Sequence, residues 1–145
     1  MKPPPKGWPR LSASVHYDDP KAAIDWLCRA FGFELKLKVE GEGGDIVHSE
    51  LTFGEGLIMV SSTHGKEPYQ KLFRSPQQLG GAMTQTLALF VDDCDAHYAR
   101  AVAAGAKTVR EPTTSDYGEE YWSDRTHGVT DPEGHLWWFI QRIKG

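Results

Sequence analysis

A histidine and a carboxylate, His48 and Glu50, are spaced for joint chemistry in the first half of the chain. Side chains two residues apart on a β-strand share one face, about 7 Å apart along the strand. Such an imidazole and carboxylate can supply two ligands to a metal, or act as a base and its orienting group. They can equally form a hydrogen-bonded polar pair on a half-solvated sheet. These interpretations stay open, and Glu50 is the candidate catalytic residue.

The stretch YGEEYWSDR, at 117–125, places three aromatic residues among four charged ones. Aromatic walls with a few charges are typical of the rim of a small-molecule pocket. The same composition also fits an exposed hairpin with an Asp–Arg pair inside it. We therefore treat Trp122 and Arg125 as candidate substrate-binding residues.

A weak internal repeat predicts the elements that position these residues. Val15–Phe33 and Phe90–Lys107 each contain a strand end, an Asp-Asp pair, a helix pattern and a glycine. The two copies lie about half the chain apart, and three further strand patterns follow each of them. The predicted strands are 11–17, 33–40, 45–53 and 57–62 in the first half, and 84–92, 107–112, 119–130 and 135–142 in the second.

The pattern predicts an α+β fold made of two βαβββ modules. The first module spans 1–64 with an N-terminal extension, a linker spans 65–81, and the second module spans 82–145. One four-stranded sheet with a single helix is too small to close its own core. We therefore expect the two modules to curve mixed sheets around a shared cleft.

Because a helix takes the apolar face of each sheet, the polar positions of the strands should face the cleft. A lone histidine such as His16 is more often structural than functional, but His16 occupies one of these polar strand positions. The last strand is apolar on both faces, and Trp138 is its favoured inward residue. With Trp122 and Arg125, the substrate-binding candidates are then Ser12, His16, His48, Thr86 and Trp138.

Composition excludes several classes of protein. With 16 Lys and Arg against 20 Asp and Glu, the net charge is −4, which argues against nonspecific nucleic-acid binding. No apolar run is long enough to predict a membrane span, and the N-terminus lacks the apolar core of a secretory signal. Cys28 and Cys94 match no metal or redox spacing, so we expect reduced thiols and a cytoplasmic protein. Motifs of nucleophilic hydrolases and phosphate-binding loops are absent.

Three stretches carry a resemblance to a known family: YDDPKAAIDWLCRAFGFE (17–34), HSELTFGEGLIMV (48–60) and YWSDRTHGVTDPEGHLWW (121–138). From about Leu11 to Ile143, the chain resembles the vicinal oxygen chelate superfamily of glyoxalase I, extradiol dioxygenases, and bleomycin and fosfomycin resistance proteins. It is most similar to the branch often labelled PhnB-like. The resemblance implies the glyoxalase/bleomycin-resistance fold and a homodimer.

Metal-dependent members of that superfamily bind a divalent ion through one side chain from each of four strands. The matching positions here are Ser12, Glu50, Thr86 and Trp138, of which only Glu50 is an ordinary ligand. A shifted register would recruit His16 or His48 beside Glu50, a set suited to Zn, Ni, Mn or Fe. No cofactor is therefore expected, with a divalent metal as the alternative.

Two functions follow from the resemblance. The first is metal-free binding of a small, partly aromatic molecule, for which exposed aromatics and mild acidity suit a cationic, planar ligand. The second is a metal-dependent lyase, isomerase or dioxygenase in which Glu50 moves a proton. A purely structural dimerisation module is a third interpretation, which a pocket lined by Glu and His disfavours.

Overall fold

Each half of the chain forms a four-stranded sheet with one α-helix. The computed structural model describes every residue, Met1–Gly145, and the chain divides into two units, Met1–Ser75 and Pro76–Gly145. The first unit contains β1 (Ala13–Tyr17), α1 (Pro20–Phe31), β2 (Glu34–Glu40), β3 (Ile46–Phe53) and β4 (Gly56–Ser62). The second contains β5 (Leu87–Phe90), α2 (Cys94–Ala103), β6 (Lys107–Asp116), β7 (Ser123–Thr130) and β8 (Leu136–Lys144). The predicted α+β repeat is confirmed.

Both sheets have the same topology. The strand orders are β1-β4-β3-β2 and β5-β8-β7-β6. In each sheet the first strand pairs with the last in parallel, and the remaining pairs are antiparallel. The connection between the two parallel strands therefore contains the helix and the two intervening strands, as the repeated βαβββ order requires.

Each helix begins at the second aspartate of its Asp-Asp pair. The Asp19 carboxylate accepts a hydrogen bond from the Ala22 N–H at 3.0 Å, and Asp93 does the same for Ala96 at 3.0 Å. Such caps satisfy backbone donors that the first helical turn leaves without partners. Gly32 adopts a left-handed φ of 88° directly after α1 and ends that helix as predicted. Neither helix has the length and apolar composition needed to cross a bilayer.

A single helix covers one face of each sheet, which we call the covered face; the opposite one is the helix-free face. In the first unit, α1 buries Ile24, Leu27 and Phe31. The buried strand residues on the same side are Val15, Tyr17, Leu51 and Val60. In the second unit the buried strand residues are His127, Val129, Trp137 and Phe139. Burying one such large apolar side chain stabilises the fold by about 1.5–3 kcal/mol.

In the second sheet β5 is shorter than the sequence predicts, and the loop between β6 and β7 lies four residues later than predicted. Pairing of β5 with β8 starts at Leu87↔Trp137, one residue into β8, so the residues before Leu87 have no strand partner. Thr86 is therefore exposed and precedes the strand. β6 and β7 are joined by a loop at 117–122, in which the Tyr117 N–H donates to the Trp122 carbonyl at 2.9 Å.

The predicted linker at 65–81 contains two short 3₁₀ turns, Pro68–Leu72 and Pro76–Leu79. Asp18, which follows β1, holds the segment leading into and out of the first turn. Its carboxylate accepts hydrogen bonds from Thr63 at 2.5 Å and from the buried Ser75 at 3.4 Å. The chain between Thr63 and Ser75 is thereby fixed to the first unit.

Gly128 leaves room for the indole of Trp138 on the neighbouring strand. The two residues are partners in the β7–β8 ladder, and a Cβ at Gly128 would lie 2.4 Å from a ring atom of Trp138. Since Trp137 is fully buried on the covered face, alternation places Trp138 on the helix-free face, where its ring lies over Gly128.

We expect Gly128→Ala to lower the free energy of unfolding by about 2 kcal/mol, because the added methyl forces the Trp138 ring to move. Urea denaturation followed by circular dichroism measures the change. In a Trp138→Leu background the same substitution should cost less, since the obstructing ring is gone. A Gly128→Ala protein as stable as the parent would show that the ring moves freely.

Candidate functional site

His48 and Glu50 lie together on the helix-free face of the first sheet. The imidazole Nε2 is 3.1 Å from Glu50 Oε1, and because an ionised carboxylate only accepts, Nε2 carries the donated proton. Glu50 is 6% exposed, whereas His48 is partly exposed. The structure therefore brings together the two residues whose spacing first indicated joint chemistry.

Lys36 completes this cluster and was not singled out in the sequence. Its ammonium Nζ lies 3.5 Å from Glu50 Oε2 and donates a hydrogen bond to the Gly7 carbonyl at 3.0 Å. It also lies 5.5 Å from the centre of the Trp8 ring. We call Trp8, Lys36, His48 and Glu50 the polar cluster.

A bulge in β2 places Lys36 there. Leu35 pairs with Leu51 of the covered face, but Leu37 pairs with Glu50 of the helix-free face, so the register shifts at Lys36. The letters ELKLKVE alternate without a break and give no sign of this shift. The one sequence signal for the contact between Lys36 and Glu50 was a basic residue on the strand that precedes the strand of Glu50.

Glu50 stays ionised in this environment. The hydrogen bond from His48, and after it the neighbouring charge of Lys36, lower the pKa of Glu50 below its usual range despite burial. Its stable form at neutral pH is thus a carboxylate whose charge is met by donors on two sides.

His16 lies elsewhere on the same face, under an aromatic ring from the predicted linker. Its imidazole stacks on Phe73 with ring centres 3.8 Å apart, and Tyr69 packs edge-on against Phe73 at 6.0 Å. Ser12 precedes β1. His16 does not join His48 and Glu50 in a group able to hold a metal ion.

The helix-free face of the second sheet carries a stack of aromatic and cationic side chains. The Arg142 guanidinium lies 5.4 Å from the Phe90 ring centre and 5.1 Å from that of Trp122. Arg142 also donates a hydrogen bond to Asp124 at 2.6 Å. Phe90 is 61% and Trp122 41% exposed, so this stack presents aromatic surface beside Trp138 on the same face.

Arg125 lies on the opposite, covered side. It binds the Asp95 carboxylate of α2 through two hydrogen bonds, at 2.6 and 2.8 Å, and this interaction lowers the pKa of Asp95. The hairpin interpretation of 117–125 included an internal Asp–Arg pair, but the structure has two other pairs, Arg125 with Asp95 and Arg142 with Asp124. Alternation along β7 explains this, because adjacent residues point to opposite faces.

A histidine pair on the covered face of the second unit, one member of which is buried, was not among the residues that the sequence pattern indicated. His127 is fully buried, and its Nε2 lies 3.0 Å from Nδ1 of His97 on α2. The His127 ring stacks on Phe139 with ring centres 5.1 Å apart. Burial, and then the neighbouring His97, lower the pKa of His127 to about 4.

Comparison with known proteins assigns the family. The sequence profile of the Glyoxalase/Bleomycin resistance protein/Dioxygenase superfamily matches residues 12–139. The chain belongs to this superfamily. The expected superfamily and fold are confirmed, while the finer assignment to the PhnB-like branch stays a prediction.

Relatives of this superfamily member include uncharacterized proteins of mycobacteria and several solved structures. Rv0887c of Mycobacterium tuberculosis is 32% identical over 94% of this chain and 76% of its own length. TioX from Micromonospora sp. ML1 is 36% identical, with a TM-score of 0.68 over 92% of this chain and 98% of that one. A glyoxalase/bleomycin resistance protein/dioxygenase family enzyme from Burkholderia phytofirmans PsJN shares the fold, at 18% identity and a TM-score of 0.67 over 91% and 97% of the two chains.

The residues at the superfamily's metal positions do not fit a metal ion in this member. Of Ser12, Glu50, Thr86 and Trp138, only Glu50 offers an ordinary ligand. No three His, Cys, Asp or Glu side chains of the chain lie together as a metal site requires. The donor set therefore supports no reaction step through a metal.

The buried histidine pair predicts how the stability of this superfamily member changes with pH. His127 has a folded pKa of about 4, below the 6.5 of an unperturbed histidine. Between pH 6.5 and 4, His127 therefore binds a proton in the unfolded chain but stays neutral in the folded chain. The free energy of unfolding is therefore highest above pH 6.5 and falls as the pH decreases toward 4. We expect this residue to account for about 2 kcal/mol of that loss.

Urea denaturation at pH 7, 6, 5 and 4 tests this by comparing the parent with His127→Gln, which cannot titrate. The variant should lose less stability between pH 7 and 4 than the parent does. Identical pH profiles for the parent and His127→Gln would show that His127 is protonated as easily when folded as when unfolded.

Proposed function

We propose that each unit of the chain binds a small organic molecule with a cationic group on the helix-free face of its own sheet, and that it needs no metal to do so. The observation that carries this proposal is the environment of Glu50. Its carboxylate is ionised and only 6% exposed, although it lies on a face that no helix covers. Buried charges are retained in proteins only when paired, and often where a partner must be recognised. Here the pairing groups, Lys36 and His48, are themselves partly exposed.

The pKa of Glu50 favours binding over proton transfer. A general base works best with a pKa near the working pH, but hydrogen bonding from His48 moves that of Glu50 in the opposite direction. A carboxylate held in its ionised form is instead well suited to attract a cation. This supports a binding role over the lyase, isomerase or dioxygenase alternative.

The aromatic stack of the second unit supports a planar ligand. Phe90 and Trp122 expose flat apolar surface near the guanidinium group of Arg142. Planar rings bind such surfaces by stacking, with added attraction where a cation is present. Superfamily membership agrees with small-molecule binding but does not specify it, because one fold hosts many functions.

A cytoplasmic location and a homodimer belong to the same proposal. Cys28 and Cys94 form no disulfide, and burial raises the pKa of both thiols, which supports a reducing compartment. The homodimer is implied by the family resemblance.

We expect the planar cation proflavine to bind the chain, and Glu50→Gln to weaken that binding by about tenfold because the counter-charge is lost. Fluorescence titration measures both affinities, with the anion 8-anilinonaphthalene-1-sulfonate as the probe of opposite charge. Glu55→Gln removes an exposed carboxylate at a turn and should leave proflavine affinity unchanged. Equal affinity of the parent and Glu50→Gln would contradict the proposal. Stoichiometric metal in the purified parent, lost in Glu50→Gln, would favour the metal-dependent alternative.

We also expect Trp122→Ala to weaken proflavine binding by about tenfold, because one stacking surface is removed. The thermal midpoint should change little, since the indole is partly exposed. Val109→Ala, which shortens an exposed apolar side chain on β6, is the control and should bind proflavine as the parent does. A large fall in the midpoint of Trp122→Ala with unchanged affinity would make Trp122 a structural residue.

A further inference from the structure

The N-terminal segment Met1–Leu11, which precedes the residues matched by the superfamily profile, packs against the polar cluster. A turn closes where the Trp8 N–H donates to the Pro5 carbonyl at 3.0 Å. Gly7 lies inside this turn with a φ of 80°, a conformation that favours glycine. The turn points the Gly7 carbonyl at the ammonium group of Lys36 and places the Trp8 ring beside it.

Lys36 thus has three different groups around its Nζ atom. The Gly7 carbonyl accepts a hydrogen bond at 3.0 Å, the Glu50 carboxylate supplies a counter-charge at 3.5 Å, and the Trp8 ring offers its face at 5.5 Å. A hydrogen-bond acceptor, an anion and an aromatic face are the groups that recognise an alkylammonium ion. They come from two separate parts of the chain, the N-terminal turn and β3.

The next lysine on the same strand shows that this arrangement is specific. Lys38 contacts the exposed Glu40 at 3.3 Å and forms an ordinary surface ion pair. Lys36 differs because its anionic partner is buried and a backbone carbonyl and an indole complete its surroundings. Its side chain is nonetheless partly exposed, so it can swing into solvent without disturbing the sheet.

We propose that Glu50, Trp8 and the Gly7 carbonyl form a binding site for the primary ammonium group of a ligand, which takes the place that Lys36 occupies in this structure. The inference rests on the proposed function and specifies the cationic group that the first unit recognises. A primary ammonium is favoured over a quaternary one because only the former donates a hydrogen bond to the Gly7 carbonyl. Lys36 is then an internal competitor that the ligand must displace.

The test uses n-butylammonium, which reproduces the four carbons and the ammonium of a lysine side chain. Lys36→Ala removes the competitor and leaves the three recognising groups in place. We expect n-butylammonium to bind Lys36→Ala at least about tenfold more tightly than it binds the parent. Isothermal titration calorimetry gives the affinity, and the thermal midpoint of Lys36→Ala should rise with n-butylammonium concentration. Lys36→Thr, a residue that suits a strand better than alanine, is measured in parallel in case Lys36→Ala fails to fold.

Three comparisons make the result specific. Tetramethylammonium should bind Lys36→Ala more weakly than n-butylammonium, because it cannot donate a hydrogen bond. Adding Glu50→Gln or Trp8→Ala to Lys36→Ala should remove most of the gain in affinity. Lys38→Ala should bind n-butylammonium no better than the parent, since it opens only a surface ion pair.

Failure of Lys36→Ala and Lys36→Thr to bind n-butylammonium better than the parent would overturn the inference. Binding that persists without Glu50, or that is equal for tetramethylammonium, would also overturn it. If proflavine still binds the parent in a manner that depends on Glu50, the proposed function stands and only the ammonium site falls. If neither probe shows dependence on Glu50, both fall together.

Discussion

A single helix covers only one face of a four-stranded sheet. In each unit, therefore, the side chains on the other face are the ones available for binding, because those on the covered face form the core. α1 and α2 bury one face of each sheet, with Leu51 and Trp137 fully enclosed there. Apolar burial of that kind supplies the stability and fixes the register, because a shift of one residue would expose the apolar set. The charged side chains of Glu50 and Asp124 lie on the opposite face, which no helix covers.

The two helix-free faces handle charge in different ways. In the first unit a carboxylate is enclosed between donors, and its partner Lys36 lies on a bulge with an indole beside it. In the second unit the guanidinium group of Arg142 lies near two aromatic rings and donates a hydrogen bond to Asp124. Each face combines one ion pair with aromatic surface, which is a means of recognising a ligand that is both flat and charged.

Local sequence patterns predicted the elements and which residues share a strand face. Contacts between residues distant in the sequence could not be predicted from them. Alternation along β3 predicted that His48 and Glu50 share a face, and the repeated order of Asp-Asp pair and helix pattern predicted both helices. The bulge at Lys36 left no trace in an evenly alternating strand, so its contact with Glu50 was invisible. The hairpin pattern places Arg125 beside Asp124, but the carboxylate that Arg125 binds is Asp95 on α2, thirty residues earlier in the sequence. Pairings between elements distant in the chain depend on the finished packing, which no short window of sequence contains.

Three consecutive prolines, Pro3 to Pro5, lead into the turn that carries Gly7 and Trp8. Each proline ring fixes one backbone angle, so this stretch is already stiff and extended before it docks on β2. Little conformational entropy is then lost when these three residues are ordered on docking. The prolines thus shorten the stretch that must order around the Trp8 indole and the Gly7 carbonyl, which lowers the cost of forming the turn that carries them.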